Sequence, residues 1–169
     1  MDLTRVEGSQ YFEAACAGWE YDCSAPFPDP RAEWGCYGTP ITGADGLAMG
    51  TGEQNTTDIV TGCATAGIAA DLADDYSHNT LDDWFLPSKD ELNALCKWAF
   101  GDTVNTICND DGNGSLSLTN GDFYGSNFWS SSEVPFVSDH FAWDQDFGDG
   151  FQTNDFKFDA SFVRPVRAF

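Results

Sequence analysis

The sequence predicts an α+β domain, and two observations carry that reading. Helical patterns occupy residues 55–75 and 88–100, while the chain beyond residue 122 has strand character throughout. Ten of the fourteen Phe fall within residues 123–169, and aromatic side chains suit a pleated, half-buried surface. The chain has 169 residues, 41% of them hydrophobic. That is enough for one domain with its own core. No linker, repeat or low-complexity tract divides it, so residues 1–169 are read as a single unit.

Residues 1–48 are rich in Gly, Pro, Cys and aromatics. Tyr11 to Ala15 is strand-like, and Pro26, Pro28 and Pro30 mark a loop. The 55–75 helix has Thr56 or Thr57 as its cap, with Asp58 near the positive end. Ile59, Cys63, Ala66 and Ala70 share one of its faces, although Gly62 and Gly67 weaken the pattern. The second helix opens after Trp84-Phe85-Leu86-Pro87. Ser88 and Glu91 have the spacing of a capping box, in which hydroxyl and carboxylate reciprocally satisfy two amides. Leu92, Leu95, Cys96 and Ala99 form its buried stripe, and Phe100-Gly101 ends it. Residues 109–122 read as loop.

The β-rich end begins with Phe128-Trp129-Ser130-Ser131-Ser132-Glu133. Phe141 to Phe147 then alternates with strand period, which puts Trp143, Gln145 and Phe147 on a core face and offers Asp144 and Asp146 on the other. Gly148-Asp149-Gly150 turns the chain, Phe151 to Asn154 returns, and Phe162 to Phe169 is the last strand. Phe147 and Phe162 are read as core, Trp84, Trp129 and Trp143 as core pillars, and His78 and His140 as ordinary loop residues. Arg164 and Arg167 call for carboxylate partners such as Glu133.

Charge excludes several functions. There are 28 acidic and 7 basic residues, a formal net charge of -21. Phosphate backbones, anionic membranes and sulfated glycans are repelled, so no nucleic-acid partner is expected. The ligand is read as a neutral or basic protein or glycan. Self-repulsion of this size also predicts that salt stabilises the fold. No apolar stretch approaches the roughly 20 residues of a membrane span. Met1-Asp2-Leu3-Thr4-Arg5 lacks the apolar core of a signal peptide. The protein is therefore expected to be extracellular, cell-surface or virion-associated, leaving the cell in a larger particle or lacking its leader here.

The six cysteines have no CxxC spacing, which argues against zinc. Proximity favours Cys96 with Cys108, and two of Cys16, Cys23 and Cys36 with each other. Calcium is the one cofactor considered. Asn109, Asp111, Asn113 and Ser115 place oxygens at alternate positions around Gly112, as an oxygen cage requires. Asn120 stands where a bidentate Glu is expected, so an acidic turn is the competing reading.

Several longer blocks resemble the Lcl C-terminal domain family, a branch of the C-type lectin fold. They are Trp34-Gly35-Cys36-Tyr37-Gly38-Thr39, Gly50-Thr51-Gly52-Glu53-Gln54-Asn55-Thr56, Asp83 to Leu92, Trp129-Ser130-Ser131-Ser132-Glu133 and Val163 to Phe169. The resemblance covers roughly residues 10–169. It implies two helices flanking a small antiparallel sheet, with ligands meeting the C-terminal half. It also implies use as a variable protein of a diversity-generating retroelement, in which a reverse transcriptase rewrites template adenines. Asn codons then become any codon ending in a pyrimidine, and such codons never encode Trp, Gln, Lys, Glu or Met. Within the expected variable region, 134–162, only Trp143, Gln145, Gln152 and Lys157 belong to that excluded set.

The expected ligand residues are Asp144, Asp146, Asp149, Phe151, Thr153, Asp155, Phe156, Phe158, Asp159 and Ser161. Aromatic anchors beside carboxylates suit a binding face. The primary expectation is a ligand-binding display protein, and the alternative is a conventional lectin or adhesin for surface polysaccharide. An enzyme is not expected. The distantly related formylglycine-generating oxidase needs reactive cysteines in its C-terminal part, whereas the last cysteine here is Cys108, and no catalytic triad pattern appears.

Overall fold

The computed structural model of the chain describes residues 12–21, 23, 28–101, 108, 120–123 and 126–169. Strand β1 (Phe12–Ala14) pairs antiparallel with β7 (Val166–Ala168), so the two ends of the described chain close on each other. Strands β2 (Arg31–Glu33), β3 (Asn127–Glu133), β4 (Phe141–Asp146), β5 (Gln152–Phe156) and β6 (Ala160–Phe162) form a sheet of order β2-β6-β3-β4-β5. All neighbours run antiparallel except β3 and β6, which meet in parallel at Phe128 and Phe162. The architecture is α+β, as expected.

Helices cover both faces of this sheet. Phe128 and Trp129, adjacent on β3, point to opposite sides. Trp129 joins a core with Trp34, Ile59, Ala70, Leu86 and Ala142 beneath α1 (Gly52–Gly62) and α2 (Ala69–Asp74). Phe128 joins Leu92, Leu95, Cys96, Phe123 and Phe147 beneath α3 (Lys89–Phe100). Phe147 is thus core, while Phe162 is partly buried against the α3 cluster.

Helix α3 follows its expectation. Ser88 caps it, its hydroxyl accepting from the Glu91 amide while the Glu91 carboxylate accepts from the Ser88 amide. Gly101 ends it at φ 70°, where a residue without Cβ avoids strain. The 55–75 helix is corrected to two. It starts earlier, at Gly52, and the N-cap Thr51 makes no side-chain cap bond. Thr56 and Thr57 lie inside the helix and return their hydroxyls to the carbonyls of Gly52 and Glu53. After Gly62, Cys63 is extended and bound to Cys36. Gly67 takes φ 75°, and its amide donates to the Asp71 carboxylate ahead of α2. Ile59, Cys63 and Ala70 are buried as expected, but Ala66 is exposed in the break that the glycines and the disulfide impose.

The other disulfides are Cys16–Cys23 and Cys96–Cys108, as proximity implied, and no cysteine is free. Three bridges suit an oxidising compartment. Among the described residues no helix is long and apolar enough to cross a membrane. The arginine expectation is half corrected. Arg164 pairs with buried Asp29 at 2.6 Å, and Arg167 with Asp83 at 2.7 Å and Glu13 at 3.2 Å. Glu133 instead belongs to Lys157.

Candidate functional site

Residues of four of the resembling blocks make buried polar contacts that reach residues 134–162 through Lys157. Glu133, at the end of β3, accepts from the Ile41 amide at 2.8 Å and from the Lys157 ammonium. Lys157 also donates to the Thr39 carbonyl at 3.0 Å and lies 4.4 Å over the Trp34 ring. Burial raises the Glu133 pKa and lowers that of Lys157, and their pairing opposes both shifts. Asn55 donates to the Gly46 carbonyl at 2.7 Å and to Ser131 at 3.2 Å, and Ser132 reaches the same carbonyl at 2.7 Å. Glu91 accepts from the Ser88 and Gly50 amides, both at 2.7 Å, while burial raises its pKa. A Cβ at Gly52 would collide with that carboxylate, which is why a glycine opens α1.

Nine of the ten expected ligand residues separate into three groups, and Asp144 stands apart from them. Phe156 and Phe158 are exposed and stack 5.1 Å apart, the centre of an aromatic ledge. Tyr37 lies edge-on to Phe158 at 4.9 Å and to His140 at 4.8 Å, and Phe141 lies 4.5 Å from Phe156. Fully exposed Phe136 and exposed Val137 occupy the adjoining 134–140 turn. Tyr37, His140 and Phe136 escaped the sequence reading. Tyr37 sits within a block assigned to the scaffold, a hundred residues from its ring partners. Phe136 carried a signal that could have been used: an apolar run, Val134-Pro135-Phe136-Val137, in a turn.

The second group shapes the β4–β5 hairpin tip. Asp146 accepts from the Gly148 amide at 2.6 Å and Asp149 from the Phe151 amide at 3.0 Å. Phe151 projects from this tip, 62% exposed, and Thr153 beyond it is exposed on β5. The third group lies around a cleft of about 350 Å³ lined by Arg31, Ser126, Asn127, Asp155, Asp159, Ala160 and Ser161. Ser161 is buried in its wall. Burial and the neighbouring Asp159 charge raise the Asp155 pKa.

Asp144 corrects the strand-face expectation. It is 1% exposed rather than offered to solvent, and Trp143, assigned to the core, is half-buried on the α3 side. Trp143 holds the Lys89 ammonium 4.4 Å over its ring. Because helices and loops cover both faces of β4, alternation there cannot tell inside from outside. One Asp144 oxygen accepts from the Asn127 amide at 2.5 Å, and the other has no donor. Burial, opposed by Asn127 and reinforced by the Asp155 and Asp146 charges, pushes its pKa to about 6.

His140 binds Asp139 at 2.8 Å, and the His78 backbone bridges to Leu81. The calcium candidates Asn109, Asp111, Asn113 and Ser115 lie outside the described residues. Among the described residues no three His, Cys, Asp or Glu side chains are grouped to hold a metal ion. No protein-family model and no curated protein matches the chain.

Proposed function

We propose that the chain is a ligand-binding display protein built on a scaffold of the C-type lectin kind, with residues 134–162 as its variable face. One observation carries the reading. The four side chains there that a pyrimidine-ending codon cannot encode are all anchors. Lys157 joins the buried network, Gln145 donates to the Gly150 carbonyl, Gln152 donates to the Lys89 carbonyl, and Trp143 stacks under Lys89. Every exposed residue of that stretch is of a type such codons supply, Phe151, Phe156 and Phe158 among them. Chemistry that can be rewritten lies outside, and chemistry that cannot lies beneath.

Closure of β1 on β7 and helices on both faces of the sheet support the resemblance to the Lcl C-terminal domain family. Large exposed apolar patches on a single chain mark interaction surfaces, and a net charge of -21 points that surface toward neutral or basic partners. The setting we propose is extracellular, cell-surface or virion-associated, where the disulfides persist.

The test has two parts. The genomic neighbourhood should hold a reverse transcriptase and a near-identical, adenine-rich copy of the 134–162 coding stretch. Their absence removes the retroelement and leaves a fixed lectin or adhesin. A partner captured from the native surroundings should lose affinity when Phe156 and Phe158 are replaced by Ser. Unchanged affinity would show that the ledge is not the binding face.

A further inference from the structure

A hollow with an aromatic wall lies apart from residues 134–162. Its volume is about 550 Å³, and Trp19, Tyr21 and Tyr76 line it together with Leu72, Glu20 and Asp75. Two distant parts of the chain meet there. Trp19 and Tyr21 belong to a single turn of 3-10 helix (Trp19–Tyr21), which the Cys16–Cys23 disulfide brackets. Tyr76 follows α2, whose C-cap is Asp75. The two buried rings are fixed in place. The Trp19 indole N–H donates to the Val163 carbonyl at 2.9 Å, and the Tyr76 ring lies 4.9 Å from both Trp19 and Trp84 and parallel to His78. Tyr21 is 51% exposed. Aromatic walls with a few polar groups are the composition of a small-molecule site.

The charge around these rings has one sign. Glu20 and Asp75 are exposed carboxylates, and no Lys, Arg or His is among the described residues lining the hollow. Asp71 and Asp74 stand on α2 beside them. Partial burial and the charges of Asp75 and Asp71 raise the Asp74 pKa. The last turn of α2 carries no basic residue, although the carbonyl end of a helix favours a cation. Ring faces are themselves negative and attract cations. Rings, carboxylates and helix end therefore all favour a positive guest.

We propose that this hollow binds a quaternary ammonium group on a small cationic carrier of the choline kind, with Tyr21 as its exposed ring and Glu20 and Asp75 as its countercharges. The inference goes beyond the display reading, because the residues that line the hollow lie outside 134–162. Hydration selects among the cations. A primary ammonium is a compact, strongly hydrated point charge, and carboxylates in open water repay little of its dehydration. A guanidinium also stacks on rings, but its five N–H groups leave donors unmet against an apolar wall. A quaternary ammonium has no N–H to satisfy and presents its charge through methyl groups, which gain from the rings and from Leu72. A neutral molecule gains nothing from the net charge of the site. A phosphocholine headgroup brings a phosphate that Glu20 and Asp75 repel.

The experiment is a nuclear magnetic resonance titration of the labelled chain with choline chloride, read at the Trp19 indole N–H and the Tyr21 backbone amide. The comparisons, at equal ionic strength, are sodium chloride, ammonium chloride, guanidinium chloride, phosphocholine, methyl glucoside and dimethylbutanol, the uncharged carbon analogue of choline. The expected result is a saturable shift with choline, about tenfold weaker binding of dimethylbutanol, and no saturable shift with ammonium. Tyr21→Leu keeps an apolar side chain at an exposed position and removes the ring, so it should weaken choline about tenfold while its backbone spectrum is retained. Asp75→Asn, a countercharge in water, should weaken choline about two- to threefold. Unmoved resonances, equal binding of dimethylbutanol by the parent chain, or unchanged affinity in Tyr21→Leu overturns the proposal. Tighter binding of guanidinium, of phosphocholine as a lipid headgroup, or of methyl glucoside overturns it as well. The display reading is untouched by any of these outcomes, since it falls only if Phe156→Ser/Phe158→Ser keeps its partner.

Discussion

The network around Glu133 and the ledge around Phe158 are joined through one residue pair, Lys157 and Phe158, yet they obey opposite rules. Lys157 is fully buried, and its ammonium has a fixed set of partners in Glu133, Thr39 and Trp34. Phe158 is 47% exposed, and the rings beside it, Tyr37 and Phe156, are exposed as well. Below the surface, removing any member strands a polar group that cannot find water. Above it, a side chain can change while the backbone is held from beneath. That difference is what a binding face of changeable composition requires, and it ranks the substitutions that would break it.

Lys157→Ala should have the largest effect. It leaves the Glu133 carboxylate buried without its cation, a loss on the order of 3–5 kcal/mol, read by denaturant unfolding. The pair Glu133→Gln/Lys157→Met should recover most of that loss, because neutral side chains carry no stranded charge. If Lys157→Ala melts like the parent, the network is not what holds residues 134–162 in place.

Asp144→Asn should move stability the other way. The folded carboxyl titrates at about 6 and the unfolded one at its ordinary value of 3.8. Between those values the folded state holds the extra proton, so stability falls as pH rises from about 4 to about 6. Above pH 6 the parent carries the full penalty, on the order of 2–3 kcal/mol. The variant should therefore gain stability at pH 7.5 and lose that advantage toward pH 4. Paired melts at the two pH values check the sign. Equal gains at both would show that the carboxyl is hydrated and ionises normally.

Ser88→Ala removes the hydroxyl acceptor of the Glu91 amide and should cost about 1 kcal/mol, also by melting. It sharpens the comparison because the capping box was legible in the sequence. Ser88 and Glu91 are three residues apart, and the two bonds between them are set by helix geometry. Cys96–Cys108 was legible for the same reason of nearness. The split of the first helix was not, since Ile59, Cys63, Ala66 and Ala70 keep the helical period across it, and the disulfide to Cys36 that fixes the break comes from another part of the chain. The fate of Asp144 was hidden because a sheet covered on both sides has no outer face for alternation to report. The ledge was half legible. Phe156 and Phe158 stood out in an Asp-rich stretch, but Tyr37 reaches them only through the fold, where the Gly38 amide donates to the Asp139 carbonyl.

The smallest expected effect on stability is the most informative about function. Phe156 and Phe158 stack on each other and meet Tyr37 edge-on, but each leaves more than a third of its surface in water. Replacing both with Ser removes aromatic contacts and also removes apolar surface from solvent, so the two changes partly offset. The net loss should stay near or below about 1 kcal/mol, since Lys157 between them remains tied to Glu133 and Thr39. Melting and partner affinity should therefore separate: the first nearly unchanged, the second lost or redirected. A double Ser variant that unfolds would make the ledge part of the core, and the distinction between a fixed interior and a free exterior would fail at the place where it matters most.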